Sequence, residues 1–224
     1  ECSCCPTQIS RFIPSIGDYV YATDDDNTVY VNMYMQSDAE FECAGQMVKL
    51  SQNTNYPYSA NAKITLKNTL DKPVSLKLRI PGWCKAFAVK LNGKAVSDIK
   101  SDCGYVVIDN ISNENDEIEL NMEMPVKIMH ADERVQNDKG KVAVMRGPIV
   151  YCMEEVDNKN ISEYTLSSDC VFTETEIEQL KGIPALKEVH SGAVFVPYFA
   201  WDNREEGKMD VWINYDEKKD GWLY

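Results

Sequence analysis

YVYATDDDNTVYVNMYM, residues 19–35, decides the fold. Aromatic and β-branched residues alternate with polar ones on both sides of Asp24-Asp25-Asp26-Asn27, a run suited to a tight turn. That is the pattern of an antiparallel hairpin. The alternation recurs in AKITLKN (62–68), VSLKLRI (74–80), FAVKLNG (87–93), YVVIDN (105–110) and EIELNMEM (117–124). It returns in KVAVMRG (141–147), IVYCMEE (149–155), AVFVPYF (193–199) and MDVWINY (209–215). Many short alternating runs with frequent turns predict an all-β chain of antiparallel, jelly-roll-like β-sandwich domains. One late helix is expected in TETEIEQLKG (173–182), opened by Thr173 and closed by Gly182.

Upstream of the hairpin the character differs. In PTQISRFIPSI (6–16), Ile9, Phe12, Ile13 and Ile16 fall at helical spacing. Pro6 suits a first turn, whereas Pro14 and Gly17 work against continuation. The chain therefore divides into a short helical segment over 1–17, a β-sandwich over 18–130 and a smaller β region over 131–224. The polar stretch HADERVQNDKG (130–140) marks the second boundary.

The formal net charge is −13, with 23 basic against 36 acidic side chains. A nucleic-acid or anionic-membrane partner needs clustered Lys and Arg, and no basic stripe is present. No apolar run approaches the roughly 20 residues of a membrane span. The chain reads as soluble, without a mark that assigns bacterial cytoplasm, periplasm or export.

Eight cysteines occur, and three of them, Cys2, Cys4 and Cys5, fall in the first five residues. Cys43, Cys84, Cys103, Cys152 and Cys170 sit in or beside apolar runs and are expected as unbridged small hydrophobes. Neighbouring cysteines are strained as a mutual disulfide. Two adjacent thiolates can serve one Zn²⁺ if the backbone turns between them, and a helix start favours the thiolate. Zinc wants four ligands, so the cluster is half a site. Spacing alone leaves three readings open: a thiol cluster without function, a structural zinc knot, or part of an active centre.

CSCCPTQISRF (2–12) resembles the Cys-x-Cys-Cys-Pro-x-Asn stretch of glycoside hydrolase family 127, the β-L-arabinofuranosidase-like enzymes. LRIPGWC (78–84), VMRGPIVYCME (144–154) and VPYFAWDNREEGKMDVWI (196–213) resemble the same family, in the family's order. The resemblance implies an upstream (α/α)6 barrel with the active site, of which residues 1–17 would be the last helical segment. It implies Cys4 as catalytic nucleophile and zinc ligand, and Cys5 as a second zinc ligand. A glutamate and a cysteine of the barrel would complete the metal site, and a barrel glutamate would be the acid/base. Zinc is thus expected in the full-length protein and incomplete or absent here. Gln8 stands where the family usually has Asn, and Thr7 where Pro is frequent, which changes the reach of an amide near the site.

The implied function is the C-terminal part of a retaining glycoside hydrolase acting on an oligosaccharide or plant-type glycan, inactive alone. The alternative is a non-catalytic carbohydrate-binding, structural or homodimerising β-sandwich module. Tyr56 and Tyr58, in the polar loop NYPYS, are the candidate sugar-binding residues; Trp83 and Trp201 read more plainly as packing. Asp24, Asp25 and Asp26 read as a surface turn rather than a Ca²⁺ site. His130 and His190 are isolated, and Arg146 is expected to pair with an acidic neighbour.

Overall fold

The computed structural model describes residues 4–216. It opens with the helix α1, Cys4–Ser15. Pro6 occupies its first turn, where no N–H partner is needed. Ser10 donates its hydroxyl to the Pro6 carbonyl at 2.8 Å. Pro14 lies in the last turn, and a 3-10 turn over Ile16–Tyr19 follows. No residue of α1 is buried, and Ile9, Phe12 and Ile13 stand 57, 56 and 60% exposed.

Two compact units follow the division at Glu123/Met124. The first contains β1 (Tyr21–Thr23), β2 (Thr28–Val31), β3 (Ser37–Cys43), β4 (Gln46–Thr54), β5 (Asn61–Leu66) and β6 (Val74–Arg79). It continues with β7 (Phe87–Leu91), β8 (Lys94–Ala95), β9 (Lys100–Asp102), β10 (Tyr105–Ile111) and β11 (Glu117–Met122). One sheet has the order β1-β2-β6-β10-β9 and the other β3-β4-β5-β11-β7-β8. All pairings in this unit are antiparallel except β2 with β6. Val29, Leu76, Leu78 and Val106 from the first sheet share one core with Val48, Leu50, Ile64, Leu66 and Ile118 from the second. Alternate residues of the central strands β4, β5, β6 and β11 enter that core, as the pleat requires. A polar pin helps join the sheets: buried Gln52 of β4 donates to the Tyr21 hydroxyl at 2.9 Å and the Met33 carbonyl at 3.1 Å.

The expected opening hairpin is β1–β2, paired Tyr21↔Val31. Asp24 organises its turn: Oδ1 accepts from the N–H groups of Asp26 and Thr28, and Oδ2 from the Tyr30 hydroxyl at 2.9 Å. Burial pushes this carboxyl up, but the bonds from Tyr30, Thr28 and Asp26 outweigh it and hold it below its usual range.

The second unit contains β12 (Val126–His130), β13 (Lys141–Arg146), β14 (Ile149–Glu154), β15 (Thr165–Ser167) and β16 (Phe172–Thr175). It continues with β17 (Ala185–Glu188), β18 (Val194–Pro197), β19 (Met209–Asp210) and β20 (Ile213–Asp216). The main order is β15-β20-β13-β14-β18-β17-β16; β12 also pairs with β13, and β19 with β14. Gly147-Pro148 makes the turn from β13 to β14, with Gly147 at φ 56°. A Cβ there would meet the Met124 side chain at 2.7 Å.

Two sequence expectations need correction. Residues 173–182 are no helix: β16 pairs with β17, Thr173↔Lys187, and only Glu178–Leu180 makes a 3-10 turn. The β-branched Thr173 and Thr175 suit the strand, and Leu180 turns inward to join Cys152, Ala185, Val196 and Ala200. Nor are all later cysteines buried: Cys103 is exposed at a turn with φ 47°, and Cys170 is half-buried. Cys43, Cys84 and Cys152 are buried as expected, and burial pushes the Cys152 thiol up to about 12, leaving it an inert hydrophobe.

Candidate functional site

α1 begins at Cys4, so Cys4 and Cys5 occupy the first helical turn. Peptide dipoles leave partial positive charge at that end. Both cysteines are exposed, and their Sγ atoms lie 3.8 Å apart. Thr7 donates its hydroxyl to the Cys4 carbonyl at 3.0 Å, tightening the turn beneath them.

The sulfur spacing tests the zinc expectation. Two thiolates at about 2.3 Å from one tetrahedral Zn²⁺ are separated by about 3.8 Å. The observed pair matches two adjacent corners of such a tetrahedron. Among the described residues no group of three or more His, Cys, Asp or Glu gathers as a metal site. The spacing of Cys4 and Cys5 therefore fits two donors of a four-coordinate centre. Cys2, the first cysteine of the motif, lies outside the described residues.

Tyr56 is half-buried in an aromatic pile: its ring stacks on Trp83 at 6.5 Å and meets the Tyr34 edge at 5.9 Å. Burial pushes its hydroxyl up, and Tyr34, still more buried, donates to the Arg79 carbonyl at 2.7 Å. Tyr58 is half-buried beside it, its N–H bonded to the Asn55 carbonyl at 2.8 Å. Arg146 pairs with Glu174 at 2.6 Å. His130 sits edge-on to Tyr215 at 5.1 Å, and the His190 N–H donates to Glu188 at 3.2 Å.

Sequence reasoning missed a buried ionic cluster in the second unit. Arg204, 5% exposed, donates to Glu154 Oε2 at 2.5 Å and, through both terminal nitrogens, to Asp157 at 2.7 and 2.5 Å. Glu154 Oε1 also accepts the Asp202 N–H at 3.0 Å. The two carboxylates hold the guanidinium well above its ordinary range, Asp157 contributing most. This cluster ties the loop after Ala200 to the end of β14. Only the charged tail of IVYCMEE hinted at it, since a strand that ends in acid inside an apolar run needs a partner.

Residues 28–124 match the profile described as "Beta-L-arabinofuranosidase, GH127 middle domain". Residues 126–214 match "Glycoside hydrolase family 127 C-terminal domain". A non-reducing end β-L-arabinofuranosidase of Bifidobacterium longum subsp. longum is 32% identical over 94% of this chain and 36% of its own. A crystal structure of a GH127 β-L-arabinofuranosidase from Geobacillus stearothermophilus T6 superposes with a TM-score of 0.85. It is 35% identical, over 96% of this chain and 38% of that one. A second solved GH127 β-arabinofuranosidase gives a TM-score of 0.87 at 33% identity, over 96% of this chain and 39% of its own. The chain thus spans between a third and two fifths of the length of these relatives.

Proposed function

Because this chain belongs to glycoside hydrolase family 127, matching its middle and C-terminal domains, we propose that it is the C-terminal β-sandwich part of a retaining glycoside hydrolase. The whole protein releases L-arabinofuranose-like sugars from a glycan, and Cys4 is its nucleophile. The observation that carries this reading is the sulfur pair, 3.8 Å apart at the N-terminus of a helix whose apolar residues face outward. Ile9, Phe12 and Ile13 on α1 are then the surface that a preceding helical barrel covers.

The chemistry departs from the two-carboxylate scheme of most glycosidases. Cys4 Sγ attacks the anomeric carbon while the bond to the leaving oxygen breaks, and a carboxylic acid supplied by the barrel protonates that oxygen. A thioglycosyl-enzyme results. Water, deprotonated by the same carboxylate, then attacks the anomeric carbon and the sulfur leaves as thiolate. Two inversions give retention. Zinc, when bound, supplies a Lewis acid that keeps sulfur ionised at neutral pH. Cys4 and Cys5 would hold it from this chain, with the remaining donors coming from the barrel. Thr7 braces the turn that aims both sulfurs.

In the gene product carrying this chain behind a barrel, Cys4→Ser is expected to lower hydrolysis of 4-nitrophenyl β-L-arabinofuranoside by roughly 10⁴-fold. Folding and hydrodynamic size should be unchanged. Full turnover in that variant removes Cys4 as nucleophile. The 224-residue chain alone should release no nitrophenol, and measurable release would remove the need for the barrel.

A further inference from the structure

The second unit contains an open cleft of about 550 Å³ that the catalytic reading does not use. Asp138, Lys141, Tyr198, Asp210 and Trp212 are among its lining residues. Topology creates it. Residues 144–146 of β13 pair with β14, but Lys141 and Val142 pair with β20. β19 pairs instead with the far end of β14, Met153↔Asp210. The chain must cross from one strand to the other through Val211 and Trp212, and that crossing forms one side of the cleft. Tyr198, just after β18 in the 3-10 turn Tyr198–Ala200, brings a half-exposed ring to the same place.

We infer that this cleft binds a saccharide. Tyr198 and Trp212 offer aromatic faces for the C–H face of a sugar ring. Asp138 and Asp210 accept from hydroxyls, and Lys141 donates to ring or hydroxyl oxygens. Lys141 and Asp138 stand 3.6 Å apart, a loose pair with donor and acceptor capacity to spare for a diol. Its volume is within the range of small-ligand sites. Two carboxylates against one ammonium, on a chain of net charge −13, disfavour an anionic ligand. Three ionic side chains also disfavour a protein partner, because interface cores are depleted of charge.

The site is built rather than incidental. The loop following Ala200 is fastened by Arg204 to Glu154 and Asp157. Glu154 lies on β14 beside Met153, the residue paired with Asp210. Arg204 thereby anchors the segment between Tyr198 and Asp210, which limits how much backbone must be ordered on binding. The choice of arabinofuranose as the sugar rests on the proposed function; the cleft itself does not.

Affinity electrophoresis of the 224-residue chain in native gels containing arabinan, a polymer of L-arabinofuranose, tests the inference. Wild-type chain should be retarded, and Tyr198→Ala should weaken apparent affinity about tenfold. Tyr198 is half exposed, so the variant should melt as wild type does; Asp210→Asn, weakening retardation by severalfold, checks the polar side independently. Absence of wild-type retardation in arabinan, xylan and galactan gels alike overturns the proposal, as does equal retardation of wild type and Tyr198→Ala. Sedimentation showing that Tyr198→Ala splits a dimer makes the cleft a contact between copies and overturns it too. Cys4→Ser should be retarded like wild type, so a failed hydrolysis assay and a failed binding assay indict different claims.

Discussion

The two units differ in how they compensate buried polar groups: the first gives Gln52 and Asp116 neutral partners, whereas the second sets Glu154 against a guanidinium. The first unit is held by an aliphatic stack: Leu50, Ile64, Leu66, Leu76, Leu78, Ile111 and Ile118 are all essentially inaccessible. The second also buries Tyr151, Met153 and Phe195, but places Glu154, Asn158 and Glu188 inside as well. Those polar groups fasten loops. Asn158 donates to the Glu154 and Val194 carbonyls at 3.0 and 2.8 Å and accepts the Val194 N–H at 2.8 Å. Glu188 accepts from the N–H groups of Val171, His190 and Ser191 and from the Ser191 hydroxyl. Strand-rich segments close mainly on apolar contact, with Gln52 and Asp116 among their buried polar exceptions. Loop-rich segments leave backbone groups that need partners, and buried polar side chains provide them.

The sharpest break in that contrast is Arg204→Ala. It leaves buried Glu154 and half-buried Asp157 without a cation, so a loss of about 3–5 kcal/mol is expected. Hydrogen exchange should rise in β13 and β14 while β5 and β6 stay protected. A change below about 1 kcal/mol would mean the cluster does not anchor the unit. The counterpart is Leu76→Ala in β6, which removes a fully buried side chain and should cost about 2–5 kcal/mol, with the exchange pattern reversed.

A pH series sharpens the comparison further. Burial pushes the Glu188 carboxyl up, but the bonds from Ser191, His190 and Val171 prevail and hold it at about 2, below its ordinary 4.5. A depressed folded-state value stabilises above the unfolded value and is lost as pH falls between the two. Between pH 4.5 and about 2, denaturant titration should show a loss on the order of 2–3 kcal/mol attributable to this residue. Glu188→Gln should start less stable at pH 7 and lose less over that window. An identical acid slope in both proteins would remove Glu188 from the acid response.

The same contrast explains how much could be read beforehand. VSLKLRI and EIELNMEM announce themselves because apolar residues alternate cleanly, and both became strands of the first core. The long hairpin β3–β4 escaped notice. Asp38, Glu40 and Glu42 occupy one face of SDAEFEC, and a buried Gln52 interrupts the inward series of β4. Its turn, Ala44-Gly45 with φ 48° and 81°, lacks the usual Asn or Asp. In the second unit, residues 173–182 read as helix because Thr173 suits an N-cap and Gly182 a stop, whereas Thr173 begins no helix and pairs from β16 with Lys187 of β17. The Cys4–Cys5 pair was legible as chemistry from the motif, but the spacing of the sulfurs depends on backbone geometry. Arg204 and Glu154 are 50 residues apart, and no local pattern couples positions so distant.

The Gln52 pin has a mechanical consequence. Two greasy layers in contact can slide, since apolar attraction has no direction. An amide gripping a phenol on one strand and a carbonyl on the next segment does have direction, and a shift of a single residue would break both grips. Gln52 therefore acts as a dowel between the layers, fixing how Tyr21 and β4 align in the same way each time the chain folds.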